Sequence, residues 1–236
     1  MGTRPDGKTT LCIGKSRSGK SSLLKAIEAL WQRSLAFDPK DEWTQLGFDS
    51  VDGRAELVGR LRESLGDVKL SYPAYDKKDF DFWAACAFNF NRQKQALLIA
   101  EELGSVAETG RAMNNWARLV NQGLGYGMTL VGTVQRGQEV DKTIINNSSA
   151  IYIFQHQTDT DVKSMAERIG VDMSEIPREP MQFIVWTPSK GIIITKGRVE
   201  YKNNVPVFTG VKKGGRGRPV KLTMLKDGTF KGVDYL

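Results

Sequence analysis

The chain has 236 residues, 40% hydrophobic and 26% charged, with a formal net charge of +7, a length that suits one main domain with a substantial core. No apolar stretch approaches the ~18 residues of a membrane span, and Met1–Lys8 has no apolar run behind it as a signal peptide would. Cys12 and Cys86 read as small core residues rather than a disulfide, which fits a cytoplasmic protein.

Thr9–Ile13 is a short apolar strand, and Ser21–Ile27 opens a helix. Between them Gly14–Ser21 reads Gly-Lys-Ser-Arg-Ser-Gly-Lys-Ser, a full match to G-x-x-x-x-G-K-[ST]. Arg33–Asp38 is a second strand ending in an acid. Ala55–Leu65 has helical spacing, Val68–Tyr72 is a third strand, and Phe80–Phe90 reads as an apolar helix. Gln95–Ala100 is a continuous apolar run, typical of a central parallel strand. Arg111–Val120 is helical, with Met113, Trp116, Ala117 and Val120 on one face. Met128–Thr133 and Ala150–Phe154 are further strands, and a helix follows through Ala166. Strands alternating with helices predict an α/β fold with a parallel sheet flanked by helices.

From Met181 the pattern changes. Gln182–Trp186 and Gly191–Thr195 predict a terminal hairpin that turns at Pro188–Gly191. Gly210–Pro219 is glycine-rich and basic, and Asp227-Gly228 sets a small hairpin within Lys221–Leu236. There are no internal repeats. We therefore divide the chain into a core over 1–187 and a hairpin with a basic extension over 188–236. Lys190–Leu236 holds eleven Lys/Arg against Glu200, Asp227 and Asp234, a surplus of eight, so the preceding 189 residues carry −1. Such a field suits a polyanion, nucleic acid or anionic lipid; a solvated, solubilising tail accounts for it equally.

The chemistry starts at the loop. Glycines at both ends let backbone N–H groups turn inward around phosphate oxygens. Gly14, Lys15, Ser16, Arg17, Ser18, Gly19, Lys20, Ser21 and Ser22 are the candidate ATP-binding residues. Lys20 is placed to reach the β/γ-phosphates and the Ser21 hydroxyl to ligate Mg²⁺, with the positive end of the helix behind them. Leu97–Ala100 then runs into Glu101 and Glu102, at a strand end that opens onto the same sheet edge. There a phosphoryl-transfer site needs a metal-coordinating acid, assigned to Glu101, and a water-activating one, assigned to Glu102. Phe37-Asp38-Pro39-Lys40-Asp41-Glu42-Trp43 follows the second strand, and Thr133-Val134-Gln135-Arg136 ends the strand after the acids, with an amide near the γ-phosphate.

These four segments, in this order, resemble the FtsK/HerA superfamily of DNA-translocating ATPases: a Walker A loop, Asp-Pro-x-x-Glu-aromatic, an acidic Walker B, and a strand-terminal Gln followed by Arg. The resemblance covers roughly residues 9–187 and is greatest to the genome-packaging ATPases of membrane-containing icosahedral phages. It implies a P-loop NTPase fold of the RecA/FtsK type and ATP·Mg²⁺ bound between subunits of a homo-oligomeric ring, expected as a hexamer. It also implies double-stranded DNA in the central channel, capsid or membrane-associated packaging-vertex proteins as partners, and a location in the host cytoplasm and at the virion's packaging vertex. By that carry-over Lys20, Ser21, Glu101 and Glu102 bind and cleave ATP·Mg²⁺, Gln135 senses the γ-phosphate, and Asp38 and Glu42 line the site.

Two departures stand out. The first Walker B acid is Glu101 where the family usually has Asp. The Gly-Arg-x-x-Gly stretch that projects an arginine into a neighbouring site is here Gly123-Leu124-Gly125-Tyr126-Gly127. Arg118, Arg111 and Arg136 are the candidate substitutes, with Arg118 preferred. Trp43 is a candidate for stacking at a subunit interface, whereas Phe82, Trp83 and Trp116 read as core. His156, without a second histidine or a cysteine cluster, does not suggest a transition-metal site.

Arg216-Gly217-Arg218-Pro219 resembles the core of an AT-hook, thin enough for a narrow minor groove. Lys212, Lys213, Arg216 and Arg218 are the candidate nucleic-acid contacts, through the minor groove or through phosphates alone. The leading reading is an ATP-driven double-stranded DNA translocase that packages a viral genome. The alternatives are a bacterial HerA- or FtsK-like motor in repair, segregation or conjugation, a small-molecule P-loop kinase, and a nucleotide switch without turnover.

Overall fold

In the structure, a computed structural model, residues 7–107, 112–139, 141–212 and 219–233 are described. The first half contains β1 (Lys8–Ile13), α1 (Lys20–Glu28), β2 (Arg33–Phe37), β3 (Asp49–Ser50), α2 (Gly53–Glu63), β4 (Val68–Tyr72) and α3 (Lys77–Gln93). Next come β5 (Leu97–Ala100), α4 (Leu103–Val106), α5 (Asn114–Gln122), β6 (Thr129–Val134), α6 (Lys142–Asn147), β7 (Ala150–Phe154) and α7 (Asp159–Ile169). The chain closes with β8 (Gln182–Thr187), β9 (Ile192–Lys202), β10 (Val205–Lys212) and β11 (Val220–Leu222).

All of these strands join one sheet, in the order β11-β10-β9-β8-β7-β1-β6-β5-β2-β4-β3. From β7 to β3 every pairing is parallel, and from β7 to β11 every pairing is antiparallel. β2, β5, β6 and β7 are buried along their whole length, which is why they read as unbroken apolar runs. Alternation sorts their side chains: Leu11 and Ile13 point into one core layer, and Cys12 into the other. The first layer takes the apolar faces of α2, α3, α5, α6 and α7, including Phe80, Trp83 and Trp116. The second takes Leu23, Leu24 and Ile27 of α1.

Local signals explain the helix limits. Asp76 caps α3 by accepting from the Asp79 amide, and Phe80, Trp83, Ala84, Ala87 and Phe88 then recur on its buried face. Thr158 caps α7, which ends at Gly170 in the left-handed region. Trp83 and Trp116 are fully buried and Phe82 packs on the same core, as read from the sequence. The helix expected over 111–120 is described over Asn114–Gln122, and Arg111 lies outside the described residues.

The expected hairpin is present as β8 and β9, but it is not terminal. β9 continues to Lys202, turns at Asn203 and Asn204, both with positive φ (52° and 61°), and returns as β10. Paired left-handed residues match the twist of a tight hairpin. This extension hid in the sequence because one side of β9 faces solvent and most of its alternate positions are charged or glycine. The small hairpin at Asp227-Gly228 is also found, bridged at Met224 and Phe230. Phe230 packs 5.8 Å from Tyr152, the Tyr152 hydroxyl donates to the Gly228 carbonyl, and Trp31 Nε1 donates to the Lys226 carbonyl. Strands on both sides of residue 187 thus belong to one sheet. No described helix is long and apolar enough to cross a membrane.

Candidate active site

Four loops meet at the carboxyl edge of the parallel strands: those following β1, β2, β5 and β6. After β1, positions 14 and 19 demand glycine, since Gly14 has φ +153° and Gly19 φ +117°. A Cβ on Gly14 would lie 2.8 Å from the Phe154 side chain and 3.0 Å from the Gln155 carbonyl oxygen. Ser16 and Arg17 are exposed at the tip, whereas Ser18 is buried, its hydroxyl without a protein partner. Lys20 opens α1 and curls back, its Nζ donating to the carbonyls of Gly14 (2.5 Å) and Lys15 (2.8 Å). Burial lowers its pKa, and the nearby Glu102 opposes that shift. The first amides of a helix have no intrahelical partner, so this end of α1 offers donors and a positive dipole to an anion. The Ser21 side chain is exposed, while the Ser22 hydroxyl sits 2.6 Å from that of Tyr201.

β5 delivers the two acids. The Glu101 amide donates to the Phe37 carbonyl, extending the ladder one step beyond the strand. Its carboxylate accepts from Trp43 Nε1 at 2.6 Å and from the Thr133 hydroxyl at 3.5 Å. Burial first, then the charges of Asp38, Glu42 and Glu102, push its pKa up to about 7, against the Trp43 bond. Glu102 is left-handed at φ 53°, a conformation that costs a non-glycine residue about 1–2 kcal/mol. Its amide donates to Thr133 Oγ1. Its carboxylate is held between Lys40 Nζ (2.5 Å) and Gln135 Nε2 (3.2 Å). Gln135 is therefore brought onto the second acid, next to the loop.

The turn after β2 explains why Lys40 and Trp43 reach this point. Asp38 is buried, and its Oδ2 accepts from the Trp43 amide at 2.8 Å and from the Ser71 hydroxyl at 3.1 Å. Asp38 thus closes the turn, while Glu42 is exposed beside it. Trp43 is only 2% exposed, packed 5.1 Å from Phe48, so its ring is a core group of this chain, which does not fit the interface stacking for which it is a candidate in the sequence. Lys40, Trp43 and Thr133 as partners of the acids were missed. The signal for the first two was their place in the Asp-Pro-x-x-Glu-aromatic stretch, and for Thr133 its place at a strand end.

Among the candidate arginines, Arg136 faces Asp161 (3.7 Å) and Glu139 (4.0 Å). Arg118 is exposed on α5, its guanidinium 4.4 Å above the Phe88 ring. Arg111, Lys213, Arg216 and Arg218 lie outside the described residues. Lys212 ends β10 with its Cα paired to Thr195, and its side chain is outside that description. His156 is buried with Nδ1 2.9 Å from the Phe154 carbonyl. No group of three His, Cys, Asp or Glu suited to a metal occurs among the described residues. The oxygen donors available at the loop, the Ser21 hydroxyl and the Glu101 carboxylate, do fit Mg²⁺, which needs few protein ligands and keeps several waters. A buried carboxyl raised to about 7 among other acids is one that a divalent cation returns to its charged form.

No family model matches the chain. Protein P9 of Pseudoalteromonas phage PM2 is 24% identical over 182 residues, covering 73% of this chain and 83% of that protein. The genome-packaging NTPase B204 from Sulfolobus turreted icosahedral virus 2, solved with ATP-gammaS, superposes with a TM-score of 0.65 at 12% identity, over 79% of this chain and 95% of that one. The DNA-packaging ATPase B204 from Sulfolobus turreted icosahedral virus does so at 0.61 and 14%, over 81% and 97%. The fold is that of a P-loop NTPase, and the proteins sharing it include viral packaging enzymes, in keeping with the resemblance carried by the sequence motifs.

Proposed function

We propose that this chain is an ATPase that moves double-stranded DNA into a viral capsid. One observation carries the hydrolytic part: Lys20 after β1, Glu101 and Glu102 after β5 and Gln135 after β6 come from three separate segments and converge at one sheet edge. Lys20 leaves the loop carbonyls to bind the β/γ-phosphates, and the loop amides take the α/β-phosphates. Ser21 and Glu101 hold Mg²⁺, which when bound offsets charge on the phosphates. Glu102 is the general base that orients the attacking water, and Gln135, already on its carboxylate, positions that pair against the γ-phosphate. Asp38 and Glu42 support the site from the turn after β2.

The DNA part is supported by the likeness to packaging NTPases and by the basic surplus after Lys190. A homo-oligomeric ring, with a neighbour's arginine completing each site and vertex proteins as docking partners, follows the same likeness. Phosphate release measured with and without duplex DNA tests the proposal. Stimulation of the wild type by DNA is expected, with turnover lost in both Lys20→Ala and Glu102→Gln. Turnover unaffected by duplex DNA under conditions where a ring forms would sink the translocase reading.

A further inference from the structure

The hairpin of β9 and β10 sits beside the phosphate loop and has no part in the chemistry above. β8 pairs with β9 only up to Arg198, opposite Gln182, so Val199–Lys202 and the start of β10 overhang the sheet. β9 runs in the direction of β7 and β1, so this overhang lies at the carboxyl edge, where the loop is. Two links fasten it there. The Met181 amide donates to the Ser18 carbonyl (3.0 Å), and the Met181 carbonyl accepts from the Val199 amide (2.8 Å). Two residues further on, the Tyr201 hydroxyl lies 2.6 Å from that of Ser22 in the first turn of α1. The Tyr201 side chain is nevertheless open: the residue is 53% exposed.

The direction of a bound nucleotide follows from the acids. Glu101, Glu102 and Gln135 stand on β5 and β6, to one side of β1, and they define the γ-phosphate end. The chain of phosphates crosses the loop, so the nucleoside leaves over the other side of β1, toward β7, β8 and β9. Among the described residues, Tyr201 is the exposed aromatic ring on that side, tied to Ser22 by its hydroxyl. We propose that Tyr201 is the nucleoside-recognition residue of this site, its ring stacking on the base of the bound nucleoside triphosphate. Stacking suits any base, so the residue contributes affinity for a nucleobase without fixing its identity. The backbone of Met181 and Val199 sets the hairpin relative to the loop.

This inference rests on the nucleotide-binding reading, and comparison of two ligands separates the two. Calorimetric titration of the full chain with a non-hydrolysed ATP analogue and with inorganic tripolyphosphate is the experiment. Tyr201→Ala is expected to weaken the analogue at least about fivefold, from the worth of one base–aromatic stack, and to leave tripolyphosphate unchanged. Tyr201→Phe keeps the ring and is expected to stay within about twofold of wild type; it also answers for folding should the alanine variant be unstable. Wild-type affinity for the analogue in Tyr201→Ala, or equal loss for both ligands, overturns the proposal. So does loss of duplex-DNA affinity with nucleotide affinity intact, which would make the hairpin a DNA contact. A wild-type chain that binds neither ligand overturns the nucleotide reading itself.

Discussion

Lys40 Nζ lies 2.5 Å from Glu102 Oε1, so the turn after β2 holds the acid assigned to water activation. The contact links residues 62 apart in sequence, and Lys40 is half exposed, with 52% of its side chain open to solvent. An exposed pair of this kind is worth under ~1 kcal/mol. Lys40→Ala is therefore expected to free Glu102 and raise turnover without DNA by at most about fivefold. A steady-state phosphate assay decides: turnover that falls instead means that Lys40 serves the phosphates.

Trp43→Phe keeps most of the packing against Phe48 and removes the donor to Glu101 Oε1. A buried carboxylate without its donor costs about 1–3 kcal/mol. Glu101 titrates at about 7, so the charged form that needs the donor predominates at pH 8 and not at pH 6. Urea unfolding should show the larger loss of stability at pH 8. Equal losses at both pH values would mean that only packing had been removed.

Asp141 is buried and serves two elements, since Oδ2 accepts from Trp116 Nε1 and Oδ1 from the Ile144 amide at the start of α6. Asp141→Ala removes a helix cap and orphans an indole N–H. The expected cost is about 2–4 kcal/mol by denaturant titration.

His156 gives the protein a pH dependence. Burial holds its pKa below 6.5, with Lys20 and Arg178 acting in the same direction and the Phe154 carbonyl and Asp161 opposing. The unfolded chain takes up the proton first as pH falls. Stability is thus full above about pH 6.5 and is lost between 6.5 and the lower folded value. The fall in denaturation midpoint from pH 7.5 to 5.5 should be smaller in His156→Gln than in the wild type.

The phosphate loop, the acid pair and Gln135 were legible because each is a short segment at the end of an apolar strand, and strand, loop and helix are decided by neighbours in the chain. The same locality gave the alternating α/β order and the small hairpin at Asp227-Gly228. Residues 196–212 were not legible, because a hairpin whose first strand is open to solvent on one side leaves little apolar alternation, and its partner decides the pairing.

Only the tertiary structure decided how the segments serve one another. Trp43 is a candidate interface ring by sequence, yet it turns inward to Glu101, a residue 58 positions away. Tyr201 meets Ser22 across 179 residues. The sequence determined which groups this protein brings to its phosphate loop. The packing of one sheet edge determined their partners, because a buried or half-buried polar group takes the donor or acceptor that the fold places within reach.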